Sequence, residues 1–253
     1  MNTYAIGDIH GGFKALLQVL HKANFDYQKD KLISLGDLCD GWSETPEVIE
    51  ELKKIKNLIY CKGNHDAWSI SGLSKENGFM SFHGDGASWF RHGGKATVDA
   101  YERRPELLES HLEFLKAGVN YYIDEENRLF LHAGFNVDFP IDKQPLYYDQ
   151  LNYYWDRSFW ARMYAGRNDG KAYKEVYIGH TPTIGVPKTL KEDTSKPVNR
   201  RNVWNMDTGA CFTGKLSMMN IDTKELFQSD EVRMLYPNEF GRNNSVYQSI
   251  MKK

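Results

Sequence analysis

Carboxylate, amide and imidazole side chains recur in this sequence directly after short apolar runs. The run at residues 32–35 ends at Gly36 and is followed by Asp37 and Asp40, two carboxylates three residues apart. Four other runs end in the same way. The side chains that follow those four runs are Asp8 and His10, Asn64 and His65, His132, and His180. Five apolar segments therefore each deliver groups that can bind a metal ion or transfer a proton.

These apolar runs have the length and composition of buried β-strands. The first three alternate with helical periodicity at residues 13–20 and 48–55, and Thr45-Pro46 indicates the start of the second helix. A βαβαβ order implies a parallel sheet with right-handed crossovers. Ligands bind at the carboxyl ends of the strands in open α/β sheets, so we expect an α/β fold that gathers these side chains together.

Ligands of these types, without thiolates, suit ions such as Mn²⁺, Fe or Zn²⁺. We predict that Asp8, His10 and Asp37 hold one ion, and that Asp37 also serves a second. The full set predicted for the second ion is Asp37, Asn64, His132 and His180. A shared carboxylate places two ions about 3.5–4 Å apart, an arrangement that activates a bridging water for in-line attack on phosphorus.

His65 is left over from this ligand assignment. It follows Asn64 directly, so it can face a leaving-group oxygen and protonate it as a general acid. Asp40 can orient the imidazole and raise its pKa. A structural hydrogen-bonding role for His65 remains the alternative, because the pairing depends on geometry.

Three of these segments resemble known motifs. Residues 7–11, 36–40 and 63–66 are similar to the GDxHG, GDxxDRG and GNH(D/E) motifs of calcineurin-like metallophosphoesterases. Residues 132–134, 179–182 and 207–210 resemble later motifs of the phosphoprotein-phosphatase branch, especially its bacterial members. Residues 89–94 are similar to its W-x-x-N-G-G segment, with His92 in place of asparagine. Symmetrical dinucleoside tetraphosphate hydrolases share the same motifs.

The resemblance spans residues 6–221 and implies a double β-sandwich flanked by helices. It also implies a two-metal centre, usually supplied with Mn²⁺, and hydrolysis of phosphate esters. One position departs from the motifs: Gly41-Trp42 replaces the usual arginine and glycine after Asp40. The family's other phosphate-binding arginine follows a tryptophan, which makes Arg157 our candidate and Arg162 the reserve. We also expect the Trp42 ring to fill part of the space left by the missing arginine.

The composition favours a cytoplasmic protein without a disulfide framework. Three cysteines without a CxxC pair argue against disulfides and a zinc knuckle, and a net charge of -2 argues against nucleic acid as a partner. Neither a membrane-spanning run nor a leader segment is evident in the sequence. We expect residues 1–253 to form one domain with a helical lobe at about residues 67–128.

Further expectations concern the second half of the chain. Strands at residues 203–206 and 216–221 should belong to a second sheet, and residues 187–202 should form an exposed loop. His21 and His111 should lie on the surface. His83 and His92 are candidates for lining the pocket. The aromatic residues at 147–160 can either stack on a nucleobase or, as we favour, pack in the core.

Three classes of function are compatible with these residues. The first is a metal-dependent phosphomonoesterase acting on phosphoserine or phosphothreonine proteins or on small phosphoesters. The second is a dinucleoside polyphosphate hydrolase, which needs stacking surfaces and additional cations such as Arg91, Lys95 or the pair Arg200-Arg201. The third is a non-catalytic phosphate-binding module. We favour the first, because the predicted metal ligands and the His65–Asp40 pair are all present.

Overall fold

A computed structural model describes residues 1–74, 88–145, 150–185 and 193–243. One five-stranded sheet has the order β10-β9-β1-β2-β3. Its parallel strands are β1 (Thr3–Ile6), β2 (Lys31–Ser34) and β3 (Asn57–Tyr60). Strands β9 (Lys215–Asn220) and β10 (Leu226–Glu231) extend it antiparallel from the β1 edge. The predicted βαβαβ unit therefore forms one side of a mixed sheet.

The second sheet has the order β4-β5-β6-β8-β7. Strands β5 (Arg128–Leu131), β6 (Glu175–Ile178) and β8 (Val203–Asn205) are parallel. The antiparallel strands β4 (Tyr121–Ile123) and β7 (Val198–Arg200) cover its two edges. Strands β5 and β6 end just before the predicted ligands His132 and His180, as β1 to β3 end before theirs.

The two sheets pack face to face through a buried apolar layer. Ala5 and Ile33 of the first sheet contribute to the same cluster as Phe130 and Tyr177 of the second. The Phe130 and Tyr177 rings stack with their centroids 4.9 Å apart. Side chains alternate along β1, so Tyr4 and Ile6 face the opposite way.

Helices cover the outer faces of both sheets. The first sheet packs against α1 (Phe13–Lys22) and α2 (Thr45–Leu52), whose buried stripes include Leu16 and Ile49. The second packs against the helix Ser158–Tyr164 through Phe159 and Trp160. Burial of these stripes supplies most of their stability, because isolated helices of eight to ten residues are marginal in water. The predicted α/β fold of two sheets flanked by helices is confirmed.

Helices also make up most of the described residues between β3 and β4. The first, α3 (Asn64–Leu73), begins at the third motif. The segment 75–87, which includes His83, lies outside the described residues. The helices after it include Phe90–Gly94, Lys95–Arg103 and Leu108–Lys116. Within residues 67–128, Tyr121–Ile123 is a strand of the second sheet rather than part of a helix.

Several expectations about packing are wrong. Strand β9 joins the first sheet, where Asn220 lies opposite Tyr4, because strand periodicity does not specify the partner strand. Residues 198–200 form edge strand β7 instead of an exposed loop, while residues 187–192 of that predicted loop lie outside the described residues. His111 is fully buried, and its ring nitrogens bond the Tyr101 hydroxyl and the Glu50 carboxylate at 2.9 Å each.

Candidate metal centre

The carboxyl ends of parallel strands from both sheets meet at one cavity. Its volume is about 190 Å³. Asp37 and Asn64 reach it from the first sheet, and His180 reaches it from the second. The lining also includes His65 and Arg157, so the structure brings predicted metal ligands and predicted catalytic groups together.

Four predicted site residues adopt the left-handed backbone conformation. The φ angles are 52° for His10, 51° for Asp37, 71° for Asp40 and 68° for His180. Non-glycine residues rarely occupy this region, and its occurrence clusters at functional sites where the surrounding structure enforces it. The loops after β1, β2 and β6 therefore hold their side chains through unusual turns.

Asp66 enforces the turn that carries Asp37. Its carboxylate accepts hydrogen bonds from the backbone N–H groups of Asp37 (2.9 Å), Leu38 (2.8 Å) and Gly63 (2.9 Å). The His65 N–H in turn donates to Asp37 Oδ1 at 2.9 Å. The second and third motifs are thus one hydrogen-bonded unit, which explains why the third motif ends in a carboxylate.

Asp37 Oδ2 lies between two imidazoles. His10 Nε2 is 3.6 Å from this oxygen on one side, and His132 Nε2 is 3.4 Å from it on the other. His132 Nε2 is also 3.1 Å from Asn64 Oδ1, and His10 Nε2 is 4.0 Å from Asp8 Oδ2. This arrangement has the geometry expected of a carboxylate shared by two ions.

Two groups of three side chains meet the spacing of a metal site. Asp37, His132 and His180 offer atoms within 4.8 Å of one another, and so do His10, Asp37 and His65. Backbone carbonyls orient two of the imidazoles: His10 Nδ1 lies 3.0 Å from Cys39 O, and His132 Nδ1 lies 2.7 Å from Leu35 O. Such contacts leave Nε2 facing inward, as is typical of metal-bound histidines.

The donor set fits divalent cations. The buried Nε2 of His180 has no hydrogen-bond partner among the described residues, which is costly unless an ion uses it. Burial and the charge of Asp207 raise the pKa of Asp8 well above its usual range. Burial alone would also raise the pKa of Asp37, but His132 and its neighbouring imidazoles hold it well below its usual range. Cations would stabilise this crowded set of carboxylates.

Asp207 is a neighbour of the site to which sequence reasoning gave no role. It is buried, and the Gly209 N–H donates to its Oδ1 at 3.0 Å. Burial raises the pKa of Asp207 to about 6. The signal available in the sequence was its position in a strand-end motif of the same kind as the others.

His65 and Asp40 form a hydrogen-bonded pair beside this cluster. His65 Nδ1 and Asp40 Oδ2 are 2.7 Å apart, and His65 lines the cavity. Nε2 is therefore the ring nitrogen that could act on a substrate. Asp40 is fully buried and also accepts hydrogen bonds from Trp89 Nε1 and Thr97 Oγ1, both at 2.7 Å. Burial raises the pKa of Asp40 to about 7 and lowers that of His65 to about 3.

Arg157 lines the cavity and is oriented by the loop that carries His180. Its Nη1 donates to the His180 carbonyl at 3.0 Å and to Thr181 Oγ1 at 3.1 Å. Burial lowers the pKa of its guanidinium. Arg162, the reserve candidate, instead pairs with Asp169 at 2.6 Å and is not part of the cavity lining.

A second arginine, Arg242, lines the same cavity and was missed by sequence reasoning. It belongs to the C-terminal segment, outside every recognised motif, so no local spacing could indicate it. Trp42 does not fill the expected space. Its ring is fully buried, donates from Nε1 to the Ala210 carbonyl at 2.9 Å, and stacks on Tyr236 at 5.1 Å. The expectation for Trp42 is therefore wrong.

Aromatic side chains form one wall of the cavity. Trp68 and Trp155 both line it, with ring centroids 4.7 Å apart, and His92 lies 5.6 Å from Trp68. Other aromatic residues of the predicted cluster, including Tyr154 and Trp160, pack in the core of the second sheet. Residues 147 and 148 lie outside the described residues.

Comparison with known proteins places this geometry in a family. The family model described as calcineurin-like phosphoesterase matches residues 1–206. The chain belongs to the calcineurin-like phosphoesterases. It is thus a metallophosphoesterase, a hydrolase of phosphorylated substrates, in a family that depends on two metal ions.

Relatives place the chain in the phosphoprotein-phosphatase branch of these phosphoesterases. It is 22% identical to serine/threonine-protein phosphatase 1 of Salmonella typhimurium, over 87% of this chain and 92% of that protein. It is 25% identical to the asymmetrical bis(5'-nucleosyl)-tetraphosphatase PrpE of Bacillus mycoides, over 93% and 96%. The symmetrical bis(5'-nucleosyl)-tetraphosphatase of Coxiella burnetii is 27% identical over 60% of this chain, which spans 48% of that protein.

Solved structures support the same fold. A metallophosphoesterase from Sphaerobacter thermophilus superposes with a TM-score of 0.54 at 18% identity, covering 90% of this chain and 87% of the other. A serine/threonine phosphatase from Saccharomyces cerevisiae gives a TM-score of 0.56 at 13% identity, covering 91% and 80%. Among the described residues, no helix combines the length and apolar character needed to cross a bilayer.

Proposed function

We propose that this phosphoesterase hydrolyses phosphomonoesters, either on phosphoserine or phosphothreonine proteins or on small molecules. The observation that carries the proposal is the position of Asp37 Oδ2 between the imidazoles of His10 and His132, in a cavity that His65 and Arg157 also line. A nucleophile site, an acid and a cationic phosphate-binding group are thereby adjacent. We further propose that residues 1–253 act as one domain and that Mn²⁺ is the activating ion.

The six ligands proposed for the ions are Asp8, His10, Asp37, Asn64, His132 and His180. Two divalent ions held there would supply Lewis acidity toward the phosphoryl oxygens and acidify the attacking water. Arg157 would bind phosphoryl oxygens through the N–H groups of its guanidinium other than those of Nη1, which donates to the His180 loop.

His65 would deliver a proton to the leaving group from Nε2. Asp40 lies 2.7 Å from Nδ1 and accepts a hydrogen bond from the proton that this nitrogen carries. When the ring is protonated, the second proton is therefore on Nε2, from which it can be transferred. Burial opposes that protonation, but a phosphate dianion in the cavity adds negative charge beside the ring and so favours it. Substrate binding would therefore prepare the acid.

A dinucleoside tetraphosphate hydrolase is the second candidate. Trp68 and Trp155 form an aromatic wall on which a nucleobase could stack. Tetraphosphatases among the relatives add to this possibility. A non-catalytic phosphate-binding module is the weakest candidate, because the acid pair and the ligand set are both complete.

One substrate panel tests the proposal. Protein reconstituted with Mn²⁺ is assayed on a phosphothreonine peptide, an alkyl phosphate, p-nitrophenyl phosphate and diadenosine tetraphosphate. Highest kcat/KM on a monoester supports the proposal, and highest kcat/KM on diadenosine tetraphosphate assigns the second candidate. A metal-loaded protein that binds inorganic phosphate but turns over none of the four would favour the binding module.

A further inference from the structure

Position 41 lacks the arginine that follows Asp40 in related motifs, and its backbone conformation disfavours a side chain there. Gly41 has a φ of 103°, which side chains rarely tolerate. A Cβ atom built on Gly41 would lie 3.4 Å from the His10 carbonyl oxygen and 3.7 Å from Arg242 Cγ. A side chain at position 41 would thus point into the space that the Arg242 side chain already occupies.

Two glycines form the groove that holds the stem of Arg242. The Gly41 N–H donates to the Gly93 carbonyl at 3.2 Å, which brings the two backbones together. A Cβ on Gly93 would lie 3.2 Å from Arg242 Cγ and 2.7 Å from Gly41 N. A Cβ on Gly93 would therefore crowd both Gly41 and Arg242, and a long side chain at position 41 would compete with Arg242 for the same space.

Contacts with Cys211 and Phe212 fix Arg242 on the side away from the two glycines. Its backbone N–H donates to the Cys211 carbonyl at 2.9 Å. Its guanidinium lies over the Phe212 ring at 5.0 Å, and Nη1 is 3.7 Å from Cys211 Sγ. Within the described part of the chain Arg242 forms no ion pair. An aromatic face and a weak sulfur acceptor leave the guanidinium's remaining N–H groups available for an anion.

We propose that Arg242 is a second phosphate-binding arginine, supplied by the C-terminal segment in place of the one absent at position 41. It lines the metal-centre cavity with Asp37 and His65, entering beside Gly41, whereas Arg157 enters beside His180. Two guanidiniums from different elements would then hold the substrate phosphate. This inference rests on the proposed hydrolysis of phosphate esters.

Arg242 also forms part of the wall of an adjoining cavity of about 250 Å³. Phe90 and Lys95 line that cavity, together with the two glycines of the groove. Arg242 therefore separates the metal centre from the neighbouring space. Its removal should join the two cavities as well as remove a charge, so the test includes a variant that keeps the charge.

The test compares Arg242→Ala and Arg242→Lys with the wild type. Arg233→Ala is the matched control, because Arg233 is an exposed arginine of the same segment, paired only with nearby Glu231 among the described residues. Each Mn²⁺-loaded protein is titrated with inorganic phosphate by calorimetry and assayed on p-nitrophenyl phosphate. Unfolding midpoints and metal content show whether each variant retains its fold and its ions.

We expect Arg242→Ala to weaken phosphate binding and to lower kcat/KM by about 10- to 100-fold, the size of a lost charge-assisted contact to phosphate. Arg242→Lys should recover only part of the loss, since it keeps the charge without the planar fork. Added guanidinium ion should restore activity to Arg242→Ala and leave Arg233→Ala unchanged.

Unchanged phosphate affinity in folded, metal-loaded Arg242→Ala would overturn the proposal. Full recovery of affinity in Arg242→Lys would support phosphate binding at this position through charge, without the bidentate geometry. The phosphate titration does not depend on turnover. A wild type that turns over no substrate while Arg242→Ala still loses phosphate affinity would therefore contradict the proposed function but support Arg242. Normal wild-type activity with unchanged affinity in the variant would instead exclude Arg242 and leave the proposed function intact.

Discussion

Asp40 provides the most direct test of the acid pair, through the substitution Asp40→Asn. Asparagine is nearly isosteric and tolerates the φ of 71° found at this position, so the fold should be retained. Asp40 Oδ2 faces His65 Nδ1 and the Trp89 N–H, while Oδ1 faces the hydroxyls of Thr97 and Ser69. Hydroxyls can rotate to accept, so the new amide nitrogen should take the Oδ1 side.

The structure sets the size of the effect. With the amide oxygen still facing His65 Nδ1, the ring keeps its orientation and tautomer but loses its anionic partner. A hydrogen bond to a charged group contributes about 1.5–3 kcal/mol. Each 1.36 kcal/mol is about tenfold in rate, so kcat on an alkyl phosphate should fall about 10- to 150-fold. The loss should be smaller on p-nitrophenyl phosphate, whose leaving group departs without a proton.

Steady-state kinetics on the two substrates, with metal content measured in parallel, check this reasoning. The double variant Asp40→Asn with His65→Ala separates positioning from general stability. Because Asp40 acts through His65, the double variant should be no slower than His65→Ala alone. A further tenfold loss in the double variant, or equal losses on both substrates in Asp40→Asn, would refute the role assigned to Asp40.

Four other substitutions test the remaining roles. Asp37→Asn should remove most of both ions, whereas Asp8→Asn should weaken chiefly one, as elemental analysis after Mn²⁺ reconstitution would show; a wild type that holds no ion would contradict the metal centre. His65→Ala should lower kcat about 10²–10⁴-fold on alkyl phosphates with metal content intact. A loss of metal would instead make His65 a ligand. Arg157→Lys should lower kcat/KM about tenfold or more, because it keeps the charge and loses the fork; unchanged kinetics would exclude Arg157 from phosphate binding.

Much of the site could be predicted from the sequence because its information is local. A buried strand followed by a glycine and a short polar loop places a side chain at the end of that strand, whatever the rest of the chain does. Asp8, Asp37, Asn64, His132 and His180 all follow such strands. Parallel pairing predicts that the strand ends of one sheet lie at the same edge. The meeting of the Asp8, Asp37 and Asn64 side with the His132 and His180 side depends in addition on the packing of the two sheets.

The errors share a physical cause as well. We expected β9 in the second sheet, but it pairs with β1 of the first. The alternation of side chains along a strand does not identify its neighbouring strand. His111 was expected on the surface, although Tyr101 and Glu50 satisfy both ring nitrogens and allow its burial. Trp42 turns into the core because Ala210 and Tyr236 offer its ring a hydrogen-bond acceptor and a stacking partner. Each outcome depends on contacts between segments distant in the chain.

The sequence by itself determined the family, the α/β fold and the polar side chains at the strand ends, because these depend on residue types at short spacings. Only the tertiary structure decided which side chain occupies the space beside Asp40, where related motifs have an arginine. Glycine at positions 41 and 93 opens a groove that an arginine from the far end of the chain enters. No local pattern encodes that meeting, since it results from packing the C-terminal segment against the loop after β2.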